Sequence, residues 1–76
     1  MKNNNKLTFE QLQRMFPQAT VRTFRNGSVK QLHWQDGKRE NSITFFPKSQ
    51  VSEMKRASFG MNDVQWIGNF RFSSTF

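Results

Sequence analysis

Few side chains in this chain are equipped for catalysis: there is one histidine, His33, with five carboxylates and no cysteine, against twelve Lys and Arg. General acid–base chemistry needs a titratable group held by an orienting partner, and His33 is the best candidate. If the strands on either side of Asp36-Gly37 pair through a two-residue turn, His33 stands opposite Glu40, and Arg22 lies one pair along as a phosphate anchor. A histidine backed by a carboxylate is suited to taking the proton of a ribose 2′-hydroxyl. On a solvated sheet face the same two residues form an ordinary cross-strand pair worth roughly a few tenths of a kcal/mol, and that is the reading adopted, with no catalytic residue expected. The chain has no glycine-rich phosphate loop, no cysteine nucleophile and no close carboxylate pair. One histidine and scattered acids do not make a metal site, and no cofactor is expected.

The cations are a stronger signal. A formal net charge of +7 and a sequence pI near 11.0 make a field that draws in polyanions. Arg22, Arg25, Lys30, Lys38 and Arg39 fall on or beside two hairpin turns, and Lys48, Lys55 and Arg56 on or beside a later helix. Together with His33 they are the candidate binding residues. Lys and Arg so placed neutralise phosphates and release counterions, giving affinity without sequence information. His33, Phe24 and Phe46 could stack on bases, although Phe24 and Phe46 read first as cover for an edge of the core. The expected function is non-catalytic binding of nucleic acid, RNA or DNA, through its phosphates. The alternative is an acidic protein surface as partner, the protein then being a small inhibitor of the anti-restriction or anti-CRISPR type that phages and mobile elements carry. Free nucleic acid bound in a salt-dependent way separates the two.

These residues must be positioned by a chain of 76 residues, enough for one domain whose core has neither disulfide nor metal to help it. Residues 1–6 are polar and expected to be disordered; residues 7–76 form a single α+β domain. Thr8 and Gln11 make a capping box and Leu7 and Leu12 a hydrophobic staple, starting a helix that presents Phe9, Leu12, Met15 and Phe16 and stops before Pro17. Asn26-Gly27 and Asp36-Gly37 are type I′ hairpin signals. Two-residue loops there pair Val21 with Leu32, Ala19 with Trp34, Lys30 with Ile43 and Ser28 with Phe45. Alternation then gathers Ala19, Val21, Leu32, Trp34, Ile43 and Phe45 on one face, and Thr20, Arg22, Gln31, His33, Glu40, Ser42 and Thr44 on the other. Phe24, Val29 and Phe46 break the polar face at one end. Ser49 is read as the cap of a second helix carrying Val51, Met54, Ala57 and Ser58 inward and ending at Gly60. Val64, Trp66, Phe70 and Phe72 share one parity and predict a last strand with a bulge at Gly68. The order is α-β-β-β-α-β, a three-stranded antiparallel meander with both helices on its apolar face and a C-terminal strand. No apolar run reaches the length of a membrane span and no signal-peptide core follows Met1, so a cytoplasmic protein is expected.

From Leu7 to about Val64 this order resembles double-stranded-RNA-binding folds, and in particular HicA-type messenger-RNA-interfering toxins. The residues that carry the resemblance are Asn26-Gly27-Ser28, His33-Trp34-Gln35-Asp36-Gly37-Lys38, Phe46-Pro47, and Met54-Lys55-Arg56-Ala57 ahead of Gly60. In that family the residue after the Gly-Ser pair is the catalytic histidine, and here it is Val29. The resemblance therefore implies an RNA-binding fold and not a ribonuclease.

Overall fold

A computed structural model describes residues 8–61 and 63–75; the N-terminal tail and the Leu7 staple lie outside the described residues. Helix α1 (Phe9–Met15) begins where expected: the Thr8 hydroxyl accepts from Gln11 N at 3.1 Å, and Gln11 Oε1 accepts from Thr8 N at 3.0 Å. Strands β1 (Thr20–Phe24), β2 (Val29–Asp36) and β3 (Arg39–Phe45) follow, then helix α2 (Lys48–Ala57) and strands β4 (Val64–Ile67) and β5 (Phe70–Thr75). The fold is α+β, and the sheet is antiparallel in the order β1-β2-β3-β5-β4. Among the described residues no helix is long and apolar enough to cross a membrane.

The three hairpins differ from expectation in ways that backbone chemistry explains. Phe24 pairs with Val29 across a loop whose residues Arg25, Asn26 and Gly27 all have positive φ, at 52, 59 and 87°. This loop is longer by one residue on each side than a two-residue turn. The register is unaffected, and Val21 faces Leu32 as expected. In the second hairpin Asp36 pairs with Arg39, so the turn is Gly37-Lys38 with glycine first at φ 64°, the placement that a type II′ turn favours. Every pair across it slides by two residues. Leu32 then meets Ile43, and Lys30 meets Phe45, in place of the expected Lys30–Ile43 and Ser28–Phe45 pairs. An even slip keeps each side chain on its face while matching apolar to apolar at Leu32–Ile43.

The expected single C-terminal strand is instead a hairpin. Gly68, at φ 59°, opens a two-residue turn that brings Ile67 opposite Phe70. Reversal of the chain also splits the four apolar residues of like parity. Phe72 pairs with Ile43, whereas Trp66 pairs with Arg71 and Val64 with Ser73, so Val64 and Trp66 belong to the opposite face from Phe70 and Phe72.

The two helices, expected on one face, take opposite ones. Leu12 of α1 packs in one cluster with Leu32, Ile43 and Phe70 of the sheet, all buried, ringed by Phe9, Phe16, Ala19, Trp34, Phe45 and Phe72. Met15 is exposed, because α1 ends beneath it and Phe16 leaves helical geometry to stack on Trp34 with centroids 4.6 Å apart. Val21, on the edge strand, is also partly exposed. Helix α2 covers the other face, above buried Val29, Thr44 and Phe46, where Phe46 lies 5.6 Å from Trp66. The apolar exceptions on the polar face are thus the seat of α2, which is also the face it reaches directly from β3 through Phe46-Pro47. Pro47, not Ser49, precedes its first turn, with no side-chain cap; proline already has a φ suited to that boundary and needs no N–H there.

Candidate nucleic-acid interface

The placement of α2 decides where the cations go. At its N-terminal half, Arg25 of the first loop donates from Nη1 to Gln50 Oε1 at 3.4 Å. At its C-terminal half, Arg71 of β5 lies 5.1 Å from the Phe46 ring and donates from Nη1 to the Ser58 hydroxyl at 3.4 Å, while Lys55 Nζ sits 5.7 Å from the Trp66 ring. Such cation–aromatic contacts each add about 0.5–1 kcal/mol at exposed sites. The Lys55–Trp66 contact and the Arg71–Ser58 hydrogen bond tie the sheet to the C-terminal end of a helix that has no buried residue of its own. Lys48 and Lys55, seven residues apart, share one flank of α2, and Arg56 is exposed in its last turn. Arg22 projects from the sheet face that α2 occupies, opposite Gln31. Six of the expected binding residues, Arg22, Arg25, His33, Lys48, Lys55 and Arg56, therefore belong to one side of the domain.

Lys30, Lys38 and Arg39 lie elsewhere, whereas His33 shares the α2 face with Arg22. Lys30 is on the opposite face, 5.7 Å from the Phe9 ring of α1. Lys38 occupies the second turn, at the far end of β2 from Arg25, and Arg39 beside it donates from Nη1 to the Ser74 hydroxyl at 2.9 Å. His33 pairs with Thr20 and Ser42, and Glu40 with Gln35 and Thr75. The two-residue slip in the second hairpin has separated the expected His33–Glu40 pair, so no carboxylate stands directly across from the imidazole. Phe46 is buried against Trp66 and offers no ring to a base; Phe24 stays partly exposed.

Arg71 is the functional candidate that sequence reasoning passed over. Its one sequence signal is a guanidinium between two phenylalanines of a strand, Phe70-Arg71-Phe72. Its Nε and the neighbouring Trp66 Nε1 are both buried without a hydrogen-bond partner among the described residues. Chemically this side of the molecule is a set of cationic donors on a helix, the adjoining loop and strand β1, of a kind suited to phosphate oxygens. Comparison with family models, with curated proteins and with solved structures finds no match for this chain.

Proposed function

We propose that the protein binds nucleic acid through the phosphate backbone, without catalysis, using the side of the domain that carries α2. The observation that carries this reading is the docking of α2 on the Arg22 face. It brings cations from β1, the first loop and the helix, which are far apart in sequence, onto one side. A projecting helix beside a basic loop reaches phosphates across a groove, so duplex is the favoured form. Positions such as these contribute mainly counterion release, hence steep salt dependence and weak sequence preference.

A second reading has its own support. Phe59 is 90% exposed and Met61 58% in the loop after α2, next to Lys55 and Arg56, an apolar and basic combination that suits an inhibitor docking on an acidic protein surface.

The test is binding of duplex RNA and duplex DNA as salt is varied. Replacing Lys48, Lys55 and Arg56 together by alanine should lower the log–log salt slope by about one unit for each phosphate that is no longer neutralised, for every duplex sequence alike. The Phe59→Ser/Met61→Ser variant should bind as the parent does. Parent binding weaker than about 10⁻⁴ M, the weak end of ordinary non-specific affinity, would refute the nucleic-acid reading and leave the protein partner.

A further inference from the structure

On the α1 face, at the end of the sheet that carries the second turn, an open groove of about 370 Å³ runs between the end of α1 and strand β4. It exists because the two helices cover opposite faces: α1, seven residues long, covers only part of a five-stranded sheet. Its volume falls in the range of small-molecule sites, roughly 300–1,000 Å³. Phe16, Trp34 and Phe72 supply aromatic wall, and Asn41, Asp63 and Gln65 supply polar groups.

A short hydrogen-bond relay sets the polarity of one wall. Arg39 Nη1 donates to Ser74 Oγ at 2.9 Å, and the Ser74 hydroxyl donates to Asn41 Oδ1 at 2.8 Å. Guanidinium can only donate, so the serine proton is directed onward to the asparagine oxygen. The bond from Ser74 orients the Asn41 amide and leaves both Nδ2 protons, alongside the second lone pair of Oδ1, for the groove. Asp63, near the start of β4, contributes a carboxylate, which accepts only. The groove thus combines aromatic surface with a donor wall and an acceptor wall, and favours a flat ligand whose edge carries an acceptor beside N–H groups.

We propose that this groove binds guanine, with O6 toward Asn41 and the N1–H and N2–H₂ edge toward Asp63. Among the bases, guanine presents two adjacent donors to a carboxylate next to an acceptor; adenine would set its N1 lone pair against Asp63. The same chemistry is available from a free guanine nucleotide or from an unpaired guanine in a single strand, where unstacked bases are read on these edges and held by aromatic rings. The site stands apart from the α2 side and does not rest on the proposed phosphate-backbone binding.

The experiment is calorimetric titration of the full chain with GMP and AMP, and with two single-stranded hexanucleotides that differ only in having guanine or adenine at one central position. Guanine is expected to bind roughly tenfold or more tighter than adenine in at least one pair, the discrimination expected of a well-placed two-bond contact. Asp63→Asn should abolish that preference, and Asn41→Asp should do the same by placing a carboxylate against O6. Preference in the hexanucleotides alone assigns the source to a strand, and preference in both pairs to the base itself. Equal binding of guanine and adenine in both pairs, no binding of any of the four ligands below about 1 mM, or a preference unchanged in Asp63→Asn overturns the proposal. Asp63 is exposed, so its variant should melt as the parent does. The Lys48/Lys55/Arg56 alanine variant should keep the guanine preference, and Asp63→Asn should keep the salt slope on duplex, which separates failure here from failure of the proposed function.

Discussion

The two faces of the sheet are held down by different chemistry. On the α1 face Leu12, Leu32, Ile43 and Phe70 meet in a buried apolar cluster, stabilised by removal of hydrocarbon from water. On the α2 face the buried set is mixed, with Val29 and Phe46 beside Thr44 and Ser58, a Gln31–Thr44 hydrogen bond of 3.0 Å, and Arg71 and Lys55 over aromatic rings. Replacing apolar contacts by cation–aromatic ones leaves that side cationic at its surface while still seating a helix. The first face supplies the apolar core; the second seats a helix and carries exposed cations.

The sharpest way to break this comparison is to damage the apolar face. Leu32 and Ile43 are paired across the sheet and 0 and 1% exposed. Either alanine substitution should cost about 2–5 kcal/mol, a large part of the total stability of about 5–15 kcal/mol usual for a small domain. Thermal melts followed by circular dichroism measure it. Parent-like melting of both variants would show that this cluster does not hold the domain together.

A smaller effect is expected on the other face, and its size is the point. Trp66 Nε1 is buried without a hydrogen-bond partner among the described residues, and an unsatisfied donor of this kind costs about 1–3 kcal/mol. Trp66→Phe removes that donor and keeps a ring for Phe46 and Lys55, at the expense of some packing. The two changes oppose each other, so chemical denaturation should find the variant within about 1 kcal/mol of the parent. A destabilisation as large as that of Leu32→Ala would mean that the indole is as essential as the apolar cluster and that the faces are not unlike.

What could be read in the sequence follows the same division. The α1 face was legible because each of its signals is local: a Thr8–Gln11 capping box, strict alternation through Leu32, Trp34, Ile43 and Phe45, and glycine at the turns. A slip of two residues at Gly37 left those faces intact and could not be seen from parity. The α2 face was hidden because its apolar residues come from four separated stretches, Val29, Phe46, Val51-Met54 and Trp66, none of them periodic enough to announce a second core. The hairpin at Gly68-Asn69 was hidden as well, since a bulged strand and a two-residue turn give the same pattern of apolar parity from Val64 to Phe72. Individual cations of the candidate site could be named from sequence. Their assembly could not, because it depends on which face α2 takes, and Arg71 went unremarked for the same reason.

The smallest expected effect concerns the residue with the most chemical potential. His33 lies on the α2 side of the sheet, opposite Thr20 and Ser42, with Glu40 across from Gln35 and Thr75. Its direct cross-strand neighbours, Thr20 and Ser42, do not supply the carboxylate that would orient the imidazole as a general base. His33→Ala removes a side chain whose cross-strand neighbours carry hydroxyls rather than charges, a change that usually moves stability by no more than about 0.5 kcal/mol. Labelled single- and double-stranded RNA incubated for hours with the parent should remain intact, and the variant should behave identically. RNA cleaved by the parent and spared by His33→Ala would break the comparison at its root, because the cationic face would then be an active site whose base acts with a substrate group or a rearranged Glu40 as its partner.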